Sequence, residues 1–257
     1  MSAVMISDPL FWAVAIPAIF IDGISKGGFG GGLGVVAVPI MAVAINPVQA
    51  AAIMLPILCI MDWLNIWAYR GRWEVREARL LILSGILGIA IGTFTFRWLN
   101  EDAVRVLLGV LSLGFTLNWA WKQWHRIGGE RQPYNVRKGM LWGSLTGFTS
   151  FVAHAGGPPA NVYLLPRQLD KTTYQATTAL LFAVTNMIKL IPYAWLGQLS
   201  VGNLSTSAAL IPIGLLGIQA GVWAHHHLPD RWFYISLYVL LGVLGVKLLW
   251  GGVGALL

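Results

Sequence analysis

Four ionisable side chains lie inside stretches of the sequence that are otherwise apolar. Lys26 follows Asp22 by about one helical turn, and Asp62 and Lys189 lie in two further apolar runs. A charge within a membrane span is costly, so by default it marks a functional site or a charge pair. We expect the two lysines to attract an anion. The two aspartates would balance the lysine charges when the site is empty, or carry protons.

Amide and imidazole groups accompany these charges. Asn65 follows Asp62 by three residues, and Lys189 follows Asn186 by three residues, so each pair shares one helix face. His154 adjoins a break in the apolar pattern. We expect Asn65, Asn186 and His154 to bind the same anion as the lysines. Two alternatives remain, because a long lysine stem can carry its ammonium to the membrane interface and a lone histidine can be a packing residue.

Two breaks rich in glycine and proline interrupt the apolar runs near these residues. The first reads Gly27-Gly28-Phe29-Gly30-Gly31-Gly32, and the second reads Ala155-Gly156-Gly157-Pro158-Pro159. Neither can continue a helix, and irregular backbone at membrane depth is tolerated where protein buries it or where it lines a cavity. New helix N-termini at about Leu33 and Pro158 would favour an anion, although glycines also permit close helix packing. The candidate substrate-binding residues at the breaks are Gly28, Gly30, Gly31, Gly32, Gly156, Gly157, Pro158 and Asn161.

The composition shows what surrounds these residues. Of the 257 residues, 57% are hydrophobic and 11% are charged, against about 25% charged in an ordinary soluble domain. Mean hydropathy is +0.70, which indicates a membrane protein. The net charge of +7 comes mostly from Lys and Arg in short links, where the positive-inside rule explains it, so we expect no nucleic-acid partner. Cys59 is the single cysteine, and we expect no metal site and no cofactor.

The apolar runs predict an all-α integral membrane protein. A helix needs about 20 apolar residues to cross the hydrocarbon core, and six runs have that length. Each half of the chain has one broken segment followed by three helices. The first repeat, 1–126, has the broken segment 9–46 and helices 48–69, 78–97 and 102–124; the second, 127–257, has the broken segment 137–167 and helices 173–196, 204–225 and 231–250.

The two halves resemble each other residue by residue. A shift of 126 residues places Gly30 on Gly156 and Gln49 on Gln175, and a further slip of three residues aligns the glycines of later helices. If each broken segment dips into the membrane and returns, nearly all Lys and Arg of the links fall on one side. That topology makes the halves inverted repeats, a recurrent transporter architecture whose binding site lies where the broken segments meet.

At the breaks the chain resembles the TauE/SafE family of membrane permeases. The resemblance rests on the run from Gly27 to Gly34 followed by Val38-Pro39, and on His154-Ala155-Gly156-Gly157-Pro158. It covers essentially the whole chain. It implies a multi-pass protein of the inner cell membrane whose partners are the lipid bilayer and a small sulfur-containing anion, such as sulfite or the organosulfonate sulfoacetate. A homodimer is also an option, because some tryptophans could face a second protomer.

The sequence favours a secondary transporter over an enzyme. It contains no GxxxxGK[ST] phosphate-binding loop and no HExxH string. One charge moved through 100 mV changes the free energy by about 2.3 kcal/mol, so a potential of about 150 mV favours efflux of a dianion by about 7 kcal/mol. We therefore expect export driven by the membrane potential or a proton gradient. An anion channel and an importer of another small anionic metabolite remain alternatives.

Overall fold

The computed structural model describes residues 5–29, 36–96, 101–124 and 131–227, with single positions between 239 and 254. Every regular element in these parts is helical, which confirms the all-α prediction. The predicted helix 231–250 lies largely outside the described residues. The helices are α1 Pro9–Gly28, α2 Ala37–Met41, α3 Pro47–Ala68, α4 Val75–Thr95, α5 Glu101–Trp124, α6 Val136–Ala153, α7 Gly157–Leu164, α8 Lys171–Trp195 and α9 Val201–His227, with a 3-10 turn at Leu165–Arg167 after α7.

Polar caps determine where five of the helices begin. In each, a side-chain oxygen of the residue before the helix accepts a hydrogen bond from a backbone N–H of the first turn, as N-caps do. The first turn of α4 contains Arg76 and Glu77, so this helix begins at Val75 rather than at residue 78, where its apolar run starts. The capping residues are Asp8 for α1, Asn46 for α3, Glu74 for α4, Asn135 for α6 and Asp170 for α8.

Five of the described helices are long and apolar enough to cross a membrane, namely α1, α3, α4, α8 and α9. Large apolar side chains project outward from them, including Trp63, Leu83, Ile191 and Trp223, each more than half exposed. Contiguous apolar surface of this kind would be unstable in water. Acyl chains of a bilayer cover it without cost.

Helices from different halves pack together at glycines. In α4, a Cβ added at Gly88 would lie 1.9 Å from the carbonyl oxygen of Ser144 in α6. In α9, a Cβ added at Gly217 would lie 2.5 Å from the carbonyl oxygen of Phe20 in α1. Only glycine allows backbones to approach this closely. Because Gly88 and Gly217 align in the two halves, the same helix pairing occurs twice.

The centre of the molecule lies where α3 meets α8. Asn65 contacts Gln175 at 3.4 Å, and Asp62 accepts a hydrogen bond from Asn186 at 2.5 Å. Residue numbers therefore fall along α3 as they rise along α8, so the two helices run antiparallel. Both are largely buried, and their polar side chains have to find partners within the protein.

Candidate functional site

A small polar cavity lies between the breaks and the two central helices. Its volume is about 20 Å³, enough for about one water molecule. Elements from both halves enclose it, so both must be folded for it to form. Its lining residues are Asp22 and Lys26 of α1, Leu58 of α3, Ser150 of α6, His154 of the second break, and Phe182 and Asn186 of α8.

Lys26 forms a buried ion pair at this cavity. Its ammonium lies 2.5 Å from Oδ1 of Asp62 and 5.7 Å from the centroid of the Phe182 ring. The amide of Asn186 donates to the other oxygen of Asp62 at 2.5 Å. The lysine side chain is 5% exposed, so it does not extend to the interface. The predicted charge pair of Lys26 with an aspartate is thus formed with Asp62, which comes from a different helix.

Lys189 lies in a second polar cluster, with uncharged partners. Its ammonium donates to the carbonyl of Ser150 at 2.9 Å and to the hydroxyl of the same residue at 3.0 Å. It also lies 2.7 Å from Nδ1 of His154, while Nε2 of that ring lies 2.8 Å from the carbonyl of Ala51. A carbonyl can only accept, so Nε2 carries the ring proton and Nδ1 accepts from Lys189. All three ammonium protons of Lys189 are therefore used.

Side chains from α3 and α8 bind the last carbonyls of α1. Asn65 and Gln175 both donate to the carbonyl of Lys26, at 2.9 and 2.5 Å. The hydroxyl of Tyr69 donates to the carbonyl of Gly27 at 2.6 Å. A helix C-terminus leaves carbonyls without partners, so these three side chains stabilise the end of α1 beside the cavity.

The second half repeats this arrangement at the end of α6. The hydroxyl of Tyr193 donates to the carbonyl of Phe151 at 2.7 Å, as Tyr69 does to Gly27 at the same sequence separation. Lys189 occupies the position that Asn65 has in the first half, and it donates to the equivalent carbonyl, that of Ser150. Sequence reasoning missed the two tyrosines, because the shift of 126 residues places Tyr69 on Trp195 and only a shift of 124 residues places it on Tyr193.

The glycines described at the first break pack tightly. A Cβ added at Gly28 would lie 2.4 Å from the carbonyl oxygen of Gly221 in α9, so close packing explains this glycine. Its own carbonyl lies 2.7 Å from Nδ1 of His225. A larger cavity of about 270 Å³ begins here, and Lys171 and Gln175 are among its lining residues. The candidates Gly30, Gly31 and Gly32 lie outside the described residues.

The second break turns the chain sharply from α6 into α7. His154 adopts a left-handed conformation with φ 52°, which is uncommon for a residue other than glycine. Pro158 lacks an N–H, and Ala160 donates to the carbonyl of Gly156, so few donors at this helix start face outward. Asn161 accepts from the hydroxyl of Tyr174. Gly157 and Pro158 are buried, and neither is among the residues that line the small cavity.

Comparisons with known proteins place these residues in a family. The family model described as Sulfite exporter TauE/SafE matches residues 15–248, which includes both breaks and all seven residues that line the small cavity. No curated protein and no solved structure gives a significant match.

Proposed function

The chain belongs to the TauE/SafE family of membrane transporters, and on that premise we propose that it exports a small sulfur-containing anion, sulfite or an organosulfonate. The substrate binds at the small cavity between the breaks. Lys26 is its principal ligand. Asn186 lines the same cavity and completes the site. His154, whose two ring nitrogens contact Ala51 and Lys189, forms part of the cavity wall.

This proposal rests on one observation, that the ammonium groups of the two lysines differ in their number of hydrogen-bond acceptors. Lys189 has three hydrogen-bond acceptors. The ammonium of Lys26 has one carboxylate oxygen and an aromatic face among the described residues. An ammonium has three donors, so Lys26 retains donors for a ligand. An incoming anion competes with Asp62 for this lysine, and Asn186 continues to stabilise the released carboxylate.

The size of the cavity supports a transport cycle with conformational change. A volume of about 20 Å³ does not accommodate an anion with three or more oxygens. In this conformation the site is therefore closed, and Asp62 neutralises Lys26. Substrate binding requires the α1 and α6 ends to separate from α3 and α8. The larger cavity beside Gly28 is the approach from one face, since Gln175 both lines it and contacts the carbonyl of Lys26.

Two inverted repeats would allow the conformational change that opens the cavity. Three observations support this architecture: the glycine contacts that recur in the two halves, the matched tyrosine contacts at the breaks, and the antiparallel crossing of α3 and α8. We infer that the two halves exchange conformations and expose the cavity alternately to either side. In the inner cell membrane, the potential favours efflux of a dianion by about 7 kcal/mol at about 150 mV.

Calorimetry on the purified protein in detergent tests the substrate class. Sulfite, sulfoacetate and sulfate would be titrated into the wild type, with a neutral solute as reference. We expect selective binding of sulfite or sulfoacetate. We also expect Lys26→Gln to weaken it by about 100-fold, because about 2.7 kcal/mol corresponds to that factor and hydrogen bonds to charged groups contribute to this extent.

Two further variants make the result interpretable. Lys138→Gln removes an exposed lysine that contacts Gln132 and should bind as the wild type does. Lys26→Gln combined with Asp62→Asn removes the pair as a neutral unit, which avoids leaving a buried carboxylate alone. If the wild type binds none of the sulfur oxyanions, the proposed substrate class is wrong.

A further inference from the structure

Asp22 is a buried acid that the ion pairs of the site do not use. It lies one turn before Lys26 on α1, it is 1% exposed, and it lines the same small cavity. Neither of its carboxyl oxygens has a hydrogen-bond partner in the part of the chain that the structure describes. A carboxylate without donors is costly to bury, whereas a neutral carboxylic acid is far less so.

The charged and titratable groups around Asp22 come from several elements. On α1 itself Lys26 forms an ion pair with Asp62 of α3, and α3 also carries the thiol of Cys59, which interacts electrostatically with Asp62 and Lys26. His154, at the second break, carries its single ring proton on Nε2, and Lys189 on α8 donates to it. The residues of α2 are all apolar. The α9 helix brings glycines against α1, with His225 only at its far end, beside Gly28.

These groups make the proton on Asp22 decide the net charge of the site. The ion pair of Lys26 and Asp62 contributes no net charge. With Asp22 ionised the site carries one more negative charge than with Asp22 protonated. An ionised carboxylate one helical turn from the principal ligand repels an anion in a buried site, and protonation of Asp22 removes that repulsion.

We propose that Asp22 binds a proton together with the substrate and carries it across the membrane in the same direction as the anion. This inference rests on the proposed function of the site. Proton binding and anion binding then strengthen each other by the same factor. The cycle exports one net negative charge less than the anion alone, so a dianion still leaves along the membrane potential.

The pH dependence of anion affinity tests this coupling. Sulfoacetate is a suitable probe because it stays a dianion at neutral and alkaline pH, and its affinity would be measured by calorimetry over a pH series. If one proton is taken up, the affinity falls with rising pH once free Asp22 is ionised, by about tenfold per pH unit. In Asp22→Asn, which imitates the protonated acid, the affinity should stay close to the acidic limit of the wild type.

Asp8→Asn is the matched control, since it removes an exposed carboxylate from the cap of the same helix and keeps a good capping residue. It should retain the wild-type pH dependence. A second measurement on the wild type, calorimetry in buffers of different ionisation enthalpy, should show uptake of about one proton per bound anion, as that slope requires. A pH dependence that survives in Asp22→Asn, or binding without proton uptake at any pH, overturns the coupling while leaving the proposed function intact. Absence of binding at every pH overturns both.

Discussion

Two ion pairs of equal length have different surroundings in this molecule. The ammonium of Lys26 and the carboxylate of Asp62 are 2.5 Å apart at the central cavity. Nε of Arg167 and the carboxylate of Glu77 are also 2.5 Å apart, where the 3-10 turn after α7 meets the first turn of α4. The distance alone would assign both pairs the same role.

Their remaining hydrogen-bonding groups distinguish them. The second oxygen of Glu77 accepts from the hydroxyl of Tyr163 at 2.8 Å, and Arg167 also donates to the carbonyl of Gln132. The outer pair therefore connects α4, α7 and the segment before α6 through hydrogen bonds of both its members. Among the described residues, the ammonium of Lys26 has Asp62 as its one carboxylate partner, and it lies beside a cavity with a second acid, Asp22. A pair beside a cavity can exchange partners, whereas a pair bonded to several surrounding segments stabilises one conformation.

The two halves of the chain also differ at the outer pair. The slip that aligns Gly88 with Gly217 places Glu77 on Thr206. The hydroxyl of Thr206 accepts from the backbone N–H of Ile6 at 3.3 Å, so a neutral contact replaces the ion pair there. An ion pair in the first half of the chain thus corresponds to a neutral hydrogen bond in the second half.

Breaking the central pair should have the largest effect. In Lys26→Met the carboxylate of Asp62 is left without its charge partner, and removal of one member of a buried pair costs about 3 kcal/mol or more. Adding Asp62→Asn to Lys26→Met should restore most of the lost free energy of unfolding, because the isosteric amide is neutral. Thermal unfolding would report stability and calorimetry would report sulfite affinity.

Neither variant should bind the anion, although the double variant is well folded. That separation of stability from binding is what a functional pair predicts. Wild-type affinity in the double variant would show that Lys26 has only a structural role.

Weakening the outer pair should lower the free energy of unfolding by less than breaking the central pair does. Glu77→Gln keeps the shape of the side chain but removes its charge, and we expect stability to fall by about 1–2 kcal/mol. Tyr163→Phe removes one hydrogen bond and should cost about 1 kcal/mol. Anion affinity should be unchanged in both variants. A loss of affinity without a loss of stability would place this cluster in the transport site.

Much of the site follows from the sequence, because burial of charge is a local signal. Lys26, Asp62 and Lys189 could be singled out since charges in apolar runs are expensive. The three-residue spacing correctly placed Asp62 and Asn65 on one helix face, and both side chains point into the protein. Which charges form a pair was harder to predict from the sequence, because Lys26 and Asp62 meet only when α1 and α3 pack side by side.

Other features needed the tertiary structure. The sequence pattern singled out neither Glu77 nor Arg167, which α4 and the segment after α7 bring together across 90 residues. The glycines of the first break were assigned to the site, yet Gly27 and Gly28 lie against the backbone of α9. A glycine string in a sequence does not reveal whether a ligand or another helix approaches the backbone.

Anion flux through proteoliposomes tests the central claim most directly. Vesicles containing the wild type would be loaded with sulfite or sulfoacetate, and an inside-negative potential would be imposed. We predict efflux that accelerates with the potential, is lost in Lys26→Gln combined with Asp62→Asn, and is retained in Lys138→Gln. Equal efflux from the double variant and the wild type, or no efflux above that of protein-free vesicles, would contradict the account.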